Sequence, residues 1–151
     1  MKATRASIEA FLAPRKLAIA GVSRNPKKFG NQVFNHLRER GYEVIPVHPE
    51  AEMIDGIPCH RNPSTLPGDV KSLLILTPKK ETQKVVAGAL EKGIDHIWIQ
   101  QMSDTPEALA LAASRPVSLI TGECILMHTE PVKGVHKFHR AMRRFFGKMP
   151  A

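Results

Sequence analysis

Unbroken apolar runs alternate along this chain with stretches whose apolar positions recur every three or four residues, the two patterns that separate buried strands from amphipathic helices. Leu17, Ala18, Ile19 and Ala20 predict a strand buried on both faces. Phe29, Val33, Phe34 and Leu37 follow at helical spacing, and Gly41 marks where that helix ends. Residues 42–47 (YEVIPV) predict a second strand, 71–77 (KSLLILT) a third, 95–100 (DHIWIQ) a fourth and 117–121 a fifth. Val85, Val86, Ala89 and Leu90 share one face of a helix over 82–90, closed by Gly93. Thr105, Pro106 and Glu107 give the next helix, 106–114, a capping hydroxyl and a proline in its first turn. Ile8, Phe11 and Leu12 predict a short N-terminal helix over 5–13, before Pro14. Residues 50–68 are dense in Pro and Gly and read as a long surface connection, with a minor strand suggested only at Ile57, Pro58 and Cys59.

Five strands alternating with helices over short links specify an α/β fold: a Rossmann-like, doubly wound, mostly parallel five-stranded sheet with helices on both faces. Residues 1–128 make this domain, and 129–151 make a basic C-terminal segment. In that segment Val135, Phe138, Met142, Phe145 and Phe146 form the apolar stripe of an amphipathic helix. Ligands in such sheets sit beyond the carboxyl ends of the strands, where strand order reverses. The positions to inspect are therefore 21–28, His48 and Pro49, Thr77 and Pro78, Gln100 and Gln101, and Gly122 to Cys124.

The first of these positions carries the most chemistry. The strand ends at Gly21, and the polar loop behind it carries Ser23, Arg24, Lys27 and Lys28 and leads into a helix whose first-turn amides face back toward it. A helix N-terminus flanked by cations attracts anions, so the expected ligand bears phosphate. A dinucleotide fingerprint would need G-x-G-x-x-G, whereas Gly21 and Gly30 are separated by a longer loop without a middle glycine. Glu50 is nonetheless well spaced to hold a ribose diol, which keeps an NAD(P)-binding oxidoreductase or redox sensor as an alternative. A Walker A loop does not occur.

Composition adjusts this picture only slightly. The 151 residues fit one domain, and 42% hydrophobic with 24% charged residues is ordinary for a globular chain. No apolar run approaches the roughly 18 residues of a membrane span, and Glu9 inside the short N-terminal apolar patch makes a poor signal peptide, so a cytoplasmic protein is expected. Cys59 and Cys124 suit reduced thiols. From His128 onward six basic residues stand against Glu130 alone, which is +5 of the net +8. That tail lacks interleaved aromatic stacking platforms and so does not read as a nucleic-acid reader. A helix docked on its own domain, a homodimer or partner contact, and binding to an anionic surface remain its alternatives.

Several pieces in register resemble one family, the small CoA-binding proteins, which are single Rossmann-like domains similar to the CoA-binding domain of the succinyl-CoA synthetase α-subunit. GVSRNPKKFGNQVFNHLRERGYEVIPVHP resembles that family's first βαβ unit, and IDGIPCHRNPSTLP its connection. LLILTPKKET resembles its central strand and turn, IWIQ its tryptophan-containing strand and GECILM its final strand-end turn. The resemblance spans about residues 14–128. It implies CoA or an acyl-CoA as ligand; Gly21, Val22, Ser23, Arg24, Lys27 and Lys28 supply the close approach, donors and cations that its phosphates need, and binding without catalysis is expected. Val47, His48 and Pro49 would form an adenine wall, with Thr77 and Pro78 on the other side. The chain departs from the family pattern at His48, at His60 and at Glu123, whose carboxylate would repel a polyphosphate. A basic interaction module whose pocket has lost its ligand is thus a third reading.

No spacing promises a nucleophile with an oriented base, so no self-contained catalytic site is expected. Cys59-His60, Cys124 with His128, and His136 with His139 do not make a metal set, and none is expected.

Overall fold

The structure, a computed structural model, describes residues 3–129. Helix α1 (Arg5–Leu12) opens it, held by a capping box between Thr4 and Ser7. Strand β1 (Lys16–Ala20), helix α2 (Phe29–Glu39) and strand β2 (Glu43–Val47) form the first crossover. A two-residue hairpin, β3 (Met53–Ile54) with β4 (Ile57–Pro58), and a short 3-10 turn at Pro63–Thr65 occupy the connection. Strand β5 (Ser72–Ile75), helix α3 (Lys79–Lys92) and strand β6 (His96–Gln100) follow. Helix α4 (Pro106–Ala113), strand β7 (Ser118–Glu123) and a 3-10 turn at Ile125–Met127 complete the described chain. The C-terminal helix expected over 135–146 lies outside the described residues, as do its partner and assembly roles and His136 and His139.

The five long strands form the parallel sheet that the sequence pattern predicts, and the structure sets their order as β2-β1-β5-β6-β7. Strand residues divide by alternation between two cores. Leu17, Ile19, Leu74, Trp98 and Ile120 pack against Phe11 of α1 and Val33, Phe34 and Leu37 of α2. Ala18, Ala20, Leu73, Ile75, Ile97, Ile99 and Leu119 face Val86 and Ala89 of α3 and Ala108 and Ala112 of α4. Burial on both sides is why the strands read as continuous apolar runs rather than as alternating ones.

With α3 and α4 on the same face, the far half of the other face needs its own cover. Helix α1 supplies it: Phe11 meets Trp98 edge-to-face at 5.3 Å, and its carbonyl accepts the Ser72 hydroxyl at 3.2 Å. The long connection wraps the open edge of β2. His60 N–H donates to Pro46 O at 2.9 Å and its carbonyl accepts His48 N–H at 2.8 Å, so this edge strand is paired on its outer side. The minor strand expected at 57–59 is thus one arm of the hairpin, followed by the bridge from Val47 to His60. Among the described residues, no helix is long and apolar enough to cross a membrane.

Candidate functional site

Strand order reverses between β1 and β5, because the chain leaves β1 toward β2 and later returns to β1's other side. The crevice opens at the carboxyl ends of these strands. Gly21 sits there with φ of +110°, and a Cβ on it would lie 2.5 Å from the Leu76 carbonyl carbon. Only glycine fits that backbone. A Cβ on Gly30 would fall 2.2 Å from the Gly21 carbonyl oxygen, so α2 is drawn against the end of β1. The two glycines therefore fill the turning and helix-packing roles of a dinucleotide fingerprint, over a longer loop.

That loop is held by its own polar groups. Asn31, buried on α2, accepts the Ser23 N–H at 2.9 Å through Oδ1 and donates from Nδ2 to the Ser23 carbonyl at 2.7 Å. Ser23 Oγ accepts the Asn25 N–H and Asn25 Oδ1 accepts the Lys27 N–H, each at 3.0 Å. Lys28, in extended conformation, precedes α2 with no side-chain cap, so the helix presents its positive end to the cleft.

The cleft holds about 1130 Å³, enough for an elongated nucleotide. On the β2 side, His48 Nδ1 accepts the N–H groups of Glu50 at 3.0 Å and Ala51 at 2.8 Å. This fixes the neutral ring with its proton on Nε2. Desolvation, and then the nearby Arg24 charge, lower the His48 pKa, against smaller opposing effects of Glu50 and Glu81.

On the β5 side, the buried Thr82 hydroxyl donates to Ser103 O at 2.7 Å. Its contact with Thr77 Oγ1 at 2.8 Å is then donated by Thr77, which leaves Thr77 with only acceptor capacity for a ligand. At the end of β6, Gln100 is 1% exposed. Its Oε1 accepts Ile125 N–H at 3.1 Å, while its Nε2 has no hydrogen-bond acceptor among the described residues. Met102, exposed, follows in the turn closed by Ser103 N–H to Gln100 O, with φ of +76°.

Nine of the expected residues line this cleft: Gly21, Val22, Ser23, Lys28, Val47, His48, Pro49, Thr77 and Pro78. Arg24 and Lys27 do not. Arg24 is instead paired with Glu50 at 3.2 Å, its charge answered by the carboxylate weighed above for a ribose. Glu123, expected to repel a polyphosphate, turns its carboxylate to His128 Nε2 at 3.3 Å and is not part of the cleft wall. Arg61, Asn62, Glu81, Lys84 and Met102 line the cleft without having been singled out, because long connections and a helix face bring them there.

Cys59 and Cys124 are free thiols, and burial raises the pKa of each. Among the described residues, no group of three His, Cys, Asp or Glu side chains could hold a metal ion.

Comparison with known proteins agrees with this geometry. The α-subunit of an ADP-forming acetate–CoA ligase II from Pyrococcus furiosus is 33% identical over 93 residues, 61% of this chain and 20% of the relative. The Bacillus subtilis protein YneT is 23% identical over 111 residues, 74% of this chain and 82% of that protein. A solved conserved hypothetical protein from Pyrococcus furiosus superimposes with a TM-score of 0.73 at 34% identity, covering 76% of this chain and 99% of that one. The chain spans a fifth or less of the acetate–CoA ligase relatives it matches. The CoA binding domain family matches residues 15–130, from the residue before β1 to beyond β7, and the chain belongs to that family.

Proposed function

We propose that the cleft binds CoA or an acyl-CoA and that the chain holds this ligand, or presents it to a partner, without performing chemistry of its own. The observation that carries this reading is the switch-point crevice where Gly21 and Gly30 bring uncapped helix α2 against the end of β1. A diphosphate would sit on that helix end beside Lys28 and Ser23, whose hydroxyl proton is left to donate after Oγ accepts from Asn25. The adenine would lie against Val47, His48 and Pro49, with His48 Nε2–H as a donor. The pantetheine arm would cross Thr77, able to accept its amide N–H groups, toward Met102.

The non-catalytic part rests on the protonation states. His48 Nδ1 is occupied by two amides, and both thiols are held further from the reactive thiolate form. The NAD(P) alternative draws support from Glu50 at the cleft wall, but its carboxylate already engages Arg24.

Native mass spectrometry of the purified protein with CoA, acetyl-CoA, NAD and NADP tests the reading. CoA adducts at one per chain are expected, and Lys28→Gln should weaken CoA about three- to tenfold with a shallower salt dependence. Adducts with NAD alone would reverse the assignment. Unaltered CoA affinity in Lys28→Gln would place the diphosphate elsewhere.

A further inference from the structure

Two cations reach the cleft from the side opposite the glycine loop. Arg61 follows His60, which is fastened by two backbone hydrogen bonds to the outer edge of β2 beside His48. Asn62 and Pro63 then press on α3 at Gly88, where an added Cβ would lie 2.3 Å from Asn62 Oδ1 and 3.1 Å from Pro63 Cδ. Lys84 stands one helical turn before Gly88 and therefore on the same face of α3. The backbone thus delivers Arg61 and Lys84 to one wall, and both line the cleft.

Both are exposed, and among the described residues neither lies within ion-pair distance of a carboxylate, whereas Arg24 does. Glu81 also lines this wall, so its positive charge depends on Arg61 and Lys84 together. Lys28 immediately precedes α2, which packs on the other face of the sheet from α3. The cleft consequently has two separated positive regions, and a ligand with a single diphosphate group would use only one.

We propose that Arg61 and Lys84 form a second anion seat, which takes a phosphate monoester carried on the ligand's ribose and so selects CoA over its 3′-dephospho form. This rests on the reading that the cleft binds CoA. Two cations converging on a dianionic group can form charge-assisted hydrogen bonds, and Arg61 can do so bidentately. A ligand without the monoester leaves them solvated and loses that contribution.

Calorimetric titration of CoA and 3′-dephospho-CoA into the wild type, Arg61→Gln, Lys84→Gln and the double variant tests it. Both side chains are exposed, and unchanged circular dichroism and melting points will verify that the variants fold. The wild type should prefer CoA by roughly tenfold or more, each single change should lower CoA affinity about three- to tenfold, and dephospho-CoA should be unaffected within about twofold. Equal losses for both ligands, or a wild type without preference, would overturn the second seat while leaving CoA binding intact. Absence of binding by either ligand to the wild type would remove the underlying reading, and the seat with it.

Discussion

His48 accepts two backbone N–H groups on one ring nitrogen, and protonation there would set three donors against one another. These contacts require the neutral ring, and desolvation, followed by the nearby Arg24 charge, holds the folded-state pKa below the ordinary 6.5. The sign of the linkage follows. The unfolded chain binds the proton more readily, so this contribution to stability is complete above pH 6.5 and is lost as pH falls toward the depressed folded value. Urea unfolding should show a lower midpoint at pH 5 than at pH 7.5, and His48→Asn, whose Oδ1 can accept the same amides without titrating, should flatten that difference. An equal slope in the variant would assign the pH dependence to other groups. The sequence shows His48 after the second strand but not the direction of its ring. Asn31 is legible in part, since an amide three residues before Phe34 on a mostly buried helix needs a partner, which the fold supplies as the Ser23 backbone. Arg24 and Lys28 look alike in the chain, and what separates them is Glu50, 26 residues beyond Arg24, which the fold alone brings alongside.

At the scale of elements, the strands and helices were readable because each is marked by its own pattern: runs buried on two faces, Thr105 capping Ala108 N–H, Gly93 in the left-handed conformation at the end of α3. The connection over 50–68 was legible only as far as its minor strand, because the rest of its structure consists of contacts with other elements rather than a period of its own. Its contact with α3 is set by Gly88. Alanine there would gain up to about 1 kcal/mol of helix propensity. The new Cβ would meet Asn62 Oδ1, which is held in place by Ser64 N–H at 2.9 Å and cannot swing away freely. Overpacking of this kind costs about 1–3 kcal/mol, so Gly88→Ala should lose roughly 1 kcal/mol net. It should also weaken CoA binding by shifting Arg61. In an Asn62→Ala background the clash disappears and Gly88→Ala should become neutral or stabilising. Additive effects of the two changes, measured by denaturation, would show that α3 and the connection do not press on each other here.

For the whole molecule, the ends of β1, β2, β5 and β6, the starts of α2 and α3 and the wrapped connection all meet at one cleft, so a ligand seated there ties together both cores. A ligand bound only by the folded state adds stability as the logarithm of its concentration over Kd, about 2.7 kcal/mol at a hundredfold excess. A domain of this size shifts its melting point by about 2–4 °C per kcal/mol, which predicts a rise of roughly 5–11 °C with CoA at that excess. Scanning fluorimetry across a CoA series should show the midpoint climbing steadily with log concentration. NAD at the same concentration lacks the monoester for Arg61 and Lys84, and must also share Glu50 with Arg24, so its shift should be smaller. The comparison separates two levels of the argument. A shift with neither ligand would mean that the cleft keeps the family's shape without its ligand. Equal shifts with both would mean that the loop around Gly21 recognises any nucleotide diphosphate and that the wall formed by Arg61 and Lys84 adds no selectivity.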